Sequence, residues 1–214
     1  MNFAIHRQEK YSQGQLLLRT FFGYFYILIP HGIVLQILGI WTQLSSFIAF
    51  LSCLFTGKYP KGIFNWQVRY MRWSMRVQTR IMNMRDGYPK FGMDAEDNGF
   101  VLDFTYPEKV NQGKVLLRLF LGFFMAIPHI FILYFRIIGV MFIMLAAWFS
   151  ILFTAKYPEG MFRFVEETMR WMLRVQAYFG LFTDTYPPFT GKVLPGENEN
   201  IGNARSGVEG VIDN

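Results

Sequence analysis

Two histidines, His31 and His129, each follow a proline inside a long apolar run and stand 98 residues apart. An ionisable side chain in such a setting is a candidate functional group by default, able to ligate a metal or haem or to relay a proton. The simpler reading is a neutral imidazole bonding the carbonyls that Pro30 and Pro128 leave without a donor. No carboxylate lies nearby in the sequence to orient either ring, as a ligating histidine usually requires. A second set is cationic. Arg69, Arg72, Arg76 and Arg80 fall on one stripe of a helix, and Arg163, Arg170 and Arg174 fall on the matching stripe of another. Lys58 and Lys156 stand at the turns that precede these helices. Such stripes bind phosphate headgroups or simply anchor a helix at an anionic surface. Glu167 stands where the first helix has Arg69, and an i,i+4 pair with Arg163 is its nearest use. There is no nucleophile–base arrangement, no phosphate-cradling glycine loop and no Cys/His cluster, and Cys53 is the single cysteine. The expectation is no catalytic residue, no metal and no cofactor.

The elements that position these groups follow from composition and pattern. Aromatic residues make up 19% of the 214-residue chain and charged residues only 17%, where a soluble domain carries about a quarter charged. The net charge of +6 clusters beside apolar runs and points to anionic lipid, not nucleic acid. Residues 16–56 and 115–154 are apolar runs too long for one crossing of a hydrocarbon core about 30 Å thick. Each is therefore read as a transmembrane hairpin, the first with crossings 16–38 and 40–56 meeting near Gly39, the second meeting near Arg136 to Gly139. Tyr59-Pro60 and Tyr157-Pro158 end the hairpins as turns carrying an interface tyrosine. Helices 63–84 and 162–182 follow, amphipathic and lying in the membrane interface. Phe3–His6 and Phe100–Phe104 read as short strands.

The chain is an internal duplication. From position 30 to 91, 24 of 62 residues recur at a spacing of 98, whereas Gln13, Gly14, Leu17, Leu18, Arg19, Phe21 and Gly23 recur at 99. The organisation predicted is a polar segment 1–14, repeat 1 at 15–91, an acidic linker at 92–109, repeat 2 at 110–189, and a disordered tail at 190–214. The fold class is an all-α integral membrane protein of two tandem repeats, each a helical hairpin plus an interfacial helix. Both termini and the linker share the basic, cytoplasmic side. Repeats in one orientation predict a pseudo-two-fold axis along the membrane normal.

Ala126-Ile127-Pro128-His129, Ala147-Trp148-Phe149-Ser150-Ile151-Leu152-Phe153-Thr154, Tyr157-Pro158-Glu159-Gly160, Arg170-Trp171 and Thr183-Asp184-Thr185-Tyr186-Pro187-Pro188-Phe189 resemble the bacterial membrane family known as domain of unknown function 4389. In the first copy Lys61 replaces the acidic residue, and Met84 to Phe91 loosens the end motif. The resemblance implies a membrane location and tandem architecture, and it brings no activity. The function expected is a non-enzymatic accessory or scaffold subunit of a bacterial inner membrane, multi-pass, contacting anionic lipid and a membrane-protein partner or a second copy. The alternative is a small transporter or channel with its site near His31 and His129.

Overall fold

The computed structural model describes residues 1–198. Its elements are β1 (Asn2–Ile5), α1 (Gln13–Gly23), a π-helical turn (Tyr24–Leu28), α2 (Ile29–Thr56), α3 (Lys61–Ile81), β2 (Phe100–Asp103), α4 (Gln112–Thr154) and α5 (Glu159–Phe179). The helix is unbroken from Gln13 to Thr56, so each repeat holds one 43- to 44-residue helix and one of 21 residues. These two long helices are long and apolar enough to cross a membrane. Ser12 and Asn111 cap their starts by accepting from the backbone N–H of Gln15 and Lys114. Left-handed residues, Gly57 and Ala155, end them.

The expected hairpins are therefore corrected: neither Gly39 nor the segment 136–139 turns the chain. Both glycines are points of close approach instead. A Cβ added to Gly39 would lie 3.0 Å from the hydroxyl of Tyr70 on α3, and one at Gly139 would lie 3.4 Å from the ring of Phe164 on α5. A missing side chain here lets the shorter helix pack flat on the longer. Gly39→Val should consequently cost about 1–3 kcal/mol through overpacking. A thermal melt of the detergent-solubilised protein would show it, and an unchanged midpoint would mean that α3 does not pack there.

The one-residue difference between the copies has a structural counterpart. Gly23 and His31 are both buried, eight residues apart, while their equivalents Gly122 and His129 are buried seven apart. At 100° per residue an eighth residue would swing His31 well off the buried face. The π turn at Tyr24–Leu28 absorbs it. As a result each long helix keeps one buried face and one exposed apolar face over its whole length. Leu16, Ile27, His31, Ala49 and Cys53 lie on the first, with Phe21, Phe25, Ile33, Ile40 and Phe47 on the second.

The long helices run antiparallel, because the start of each meets the end of the other. Gln13 Nε2 donates to the Leu152 carbonyl (2.8 Å), and Gln112 Nε2 to the Leu54 carbonyl (3.0 Å). Backbone bonds repeat the match, Tyr11 N–H to Ala155 O and Val110 N–H to Gly57 O. A pseudo-two-fold thus relates the copies. Together the two helices make a floor. On their inner side lie α3 and α5, whose Phe64, Val68, Met71, Phe162, Val165 and Met169 fill the core. Above these lies a polar roof. The expected strands exist, and they pair antiparallel from Asn2↔Asp103 to Ile5↔Phe100. Residues 190–198, expected to be disordered, are held in the roof by α5, since Arg174 takes the carbonyls of Thr190 and Lys192. The rest of that expected tail, 199–214, lies outside the described residues.

Candidate functional site

Each repeat encloses its histidine in an aromatic box. Trp73 Nε1–H donates to His31 Nδ1 (2.9 Å), and Trp171 Nε1–H donates to His129 Nδ1 (3.1 Å). Tyr88 and Phe91 close the first box, with ring centroids 5.1 and 4.9 Å from the imidazole. Tyr186 and Phe189 close the second at 5.1 and 4.3 Å. Both histidines are completely buried. A neutral imidazole that accepts at Nδ1 carries its proton on Nε2. That leaves no lone pair free for a metal. Each Nε2 is buried without a partner among the described residues. The expectation that the rings bond the carbonyls freed by the prolines is corrected, because the indole is their partner. Nor do the histidines share a site: each belongs to its own box.

Below the boxes sits a second duplicated device. Arg19, buried near the start of the first long helix, pairs with Asp86 (2.9 Å) and takes the Arg85 carbonyl and the Asn83 side chain. Arg118 pairs with Asp184 (2.8 Å) and takes the carbonyls of Tyr178 and Thr183. Sequence reasoning matched Arg19 to Arg118 across the repeats and placed neither among the candidate site residues. The signal available was the repetition of Arg with Asp, Tyr, Pro and Phe in both copies, at 86–91 and 184–189.

The arginine stripes point into the roof. Arg72 Nε donates to the Leu102 carbonyl (2.7 Å) and its Nη2 pairs with Asp103 (2.8 Å). Arg69 pairs with Asp94, and Arg76 holds the Gly92 carbonyl. Arg80 and Asp97 form a buried pair, their side chains 5% and 6% exposed. In the second copy Arg170 reaches Glu166, the Phe3 carbonyl and the Gly191 carbonyl, and Arg174 clasps Glu197. Of the arginines expected to contact lipid headgroups, Arg76, Arg80, Arg170 and Arg174 are buried under the chain's own roof. Arg69 and Arg72 are half-exposed ion-pair partners, and Arg163 is exposed. Burial lowers the pKa of Arg76 and Arg80 and raises that of the Glu166 carboxyl. Glu167 turns to Arg136 (3.8 Å), not to Arg163, so Arg136 is an internal partner instead of a hairpin tip. The expected interface tyrosines Tyr59 and Tyr157 are buried too, which raises both phenol pKa values, and Tyr59 donates to Gln67. Lys58 and Lys156 are exposed.

One glycine fixes the second stripe. A Cβ at Gly191 would lie 1.8 Å from the Glu167 carbonyl oxygen. Gly191→Ala should lift residues 190–198 from α5 and sharply increase protease cleavage there, while the long helices stay intact. Unchanged cleavage would mean that the strap is not seated.

The family model for a domain of unknown function, DUF4389, matches residues 16–92 and again 114–191. The chain belongs to the DUF4389 family. No curated protein and no solved structure matches it. Each DUF4389 copy begins inside the long helix and ends at the aromatic box, so one copy is one long helix, one short helix and the motif that closes over its histidine. Among the described residues no group of three or more His, Cys, Asp or Glu is placed to hold a metal.

Proposed function

We propose that this DUF4389 protein is a non-enzymatic accessory or scaffold protein of a bacterial inner membrane. Its two long helices rest in lipid, and its roof faces the cytoplasm and a membrane-protein partner. One observation carries the reading: two antiparallel helices expose large apolar side chains along their whole length, opposite a roof built of arginine–carboxylate pairs. A contiguous apolar surface of this extent marks a membrane or protein interface. The N-terminus, linker and residues 190–198 meet in the roof, through β1–β2 pairing and the bonds between Asn198 and Phe3. That gathering favours one common side for all three. The transport reading has no comparable support, because the histidines occupy separate boxes and each Nδ1 is taken by an indole.

The test is purification from native membranes in mild detergent. A stoichiometric membrane-protein partner is expected, with the protein resisting extraction by alkaline carbonate. Release by carbonate would overturn the membrane reading. Solute flux through the purified protein alone in liposomes would overturn the accessory one.

A further inference from the structure

We infer that the two long helices lie flat in one leaflet and do not cross the bilayer, making the protein a one-sided insert in an anionic cytoplasmic leaflet. The inference rests on the reading that the floor meets lipid, and four observations carry it beyond that.

The first is length. A continuous 44-residue helix spans about 66 Å. To fit within a core of about 30 Å it would need a tilt of about 63°, where spanning helices tilt by 0–40°. The second is what lies beside the middle of the helix. Gly39, near its centre, packs on Tyr70 of α3. On the same stretch of α3, Arg69 and Arg72 pair with Asp94 and Asp103, whose side chains are 72% and 55% exposed. A crossing helix would carry these exposed charges into hydrocarbon, at about 2.5–3.5 kcal/mol each even on the lenient scale.

The third observation is symmetry. A two-fold that exchanges two antiparallel helices lying side by side runs perpendicular to the plane containing them. Here it passes from floor to roof, because α3 and α5 cover the same side. Flat helices put that axis along the membrane normal, whereas crossing helices would put it in the membrane plane and carry the roof it passes through to the level of the bilayer.

The fourth is charge. All eight ion pairs among the described residues are made by arginine, and none by lysine. The uncompensated positive charge is thus carried largely by lysines, and it gathers at both ends of the floor. The Tyr11–Ala155 backbone bond sets Lys10 beside Lys156, and the Val110–Gly57 bond sets Lys109 beside Lys58. Glu9 and Glu108 are the acids next to them. One turn below each lysine pair a phenylalanine stands out from the floor, Phe153 at one end and Phe55 at the other, both 75% exposed. Crossing helices would put one of these basic ends outside the cell, against the cytoplasmic preference of Lys and Arg. Flat helices put both in the same headgroup layer, where each basic residue adds about 1 kcal/mol of attraction to anionic lipid.

The experiment measures depth along the helix. Nitroxide labels are placed one at a time by Leu18→Cys, Phe25→Cys, Ile33→Cys, Ile40→Cys and Phe47→Cys in the full chain with Cys53→Ala, reconstituted in vesicles of phosphatidylglycerol and phosphatidylethanolamine. Collision with oxygen against a water-soluble nickel chelate gives each label's depth. All five are expected within one leaflet, no deeper than about 15 Å, with no trend along the chain. A steady gradient through the bilayer centre, or a label at Ile40 in water on the far side, would overturn the flat arrangement and leave the membrane reading standing. Five labels in water would overturn both. Five labels immobilised and reached by neither agent would mean that a second copy covers the floor, which also overturns the inference.

Discussion

Arg80→Ala is expected to destabilise the protein by about 3–5 kcal/mol, the usual result of stranding one member of a buried ion pair. The guanidinium and its partner Asp97 are both almost fully buried, and Arg80 also reaches the Thr79 hydroxyl. Removing the cation leaves a buried carboxylate without its ion-pair partner. For a chain of this length the melting midpoint should fall by on the order of 10 °C. Replacing both partners by apolar residues, Arg80→Met with Asp97→Leu, should recover most of the loss, because desolvation offsets much of what such a pair contributes. A headgroup-binding arginine would behave in the opposite way. Its loss would leave the midpoint alone and change the lipid retained on purification, and that result would contradict the buried-pair account.

The second large effect comes from deletion. Removing Phe25 takes out the extra residue of the π turn, restores the 98-residue spacing seen further along, and leaves an ordinary α-helix like the second copy. The cost should stay within about 1 kcal/mol, since no buried side chain changes face. Removing Ile37 deletes one equally apolar residue, but there it rotates one half of the helix by 100° against the other. Either His31 leaves its indole or Ala49 and Cys53 leave the core, so the protein should fail to accumulate. Equal damage from the two deletions would show that the π turn is not where the length difference is absorbed.

These two cases also mark how far the sequence could be read. The duplication, the short strands and the two amphipathic helices were legible, because each depends on local periodicity or direct self-comparison. The change in repeat spacing was visible as well, but nothing local says that a helix will take up the extra residue without turning. Gly39 illustrates the limit from the other side. A glycine within a run too long for one crossing reads naturally as a turn, and only the position of Tyr70, far along the chain, reveals it as a contact. The arginine stripes were correctly spaced, but the burial of Arg76, Arg80, Arg170 and Arg174 was not legible. The first stripe's partners, Asp94, Asp97 and Asp103, sit in the acidic linker, and pairing them requires the tertiary path of that linker over α3. The histidine boxes were half legible. The matched Pro-His positions stood out, while Trp73 and Trp171, each 42 residues further on, carry no local sign that they donate to an imidazole.

The central claim is a molecule with an apolar floor in lipid and a charged roof in water, and side-chain footprinting by hydroxyl radicals in lipid nanodiscs tests it most directly. Phe21, Phe25, Phe120, Phe123 and Phe142 are all strongly exposed in the isolated chain. They should go unmodified in nanodiscs and become modified when lipid is replaced by a polymer without acyl chains. Roof residues such as Met93 and Tyr106 should be modified equally in both. Floor phenylalanines oxidised in nanodiscs as readily as the roof would contradict the account.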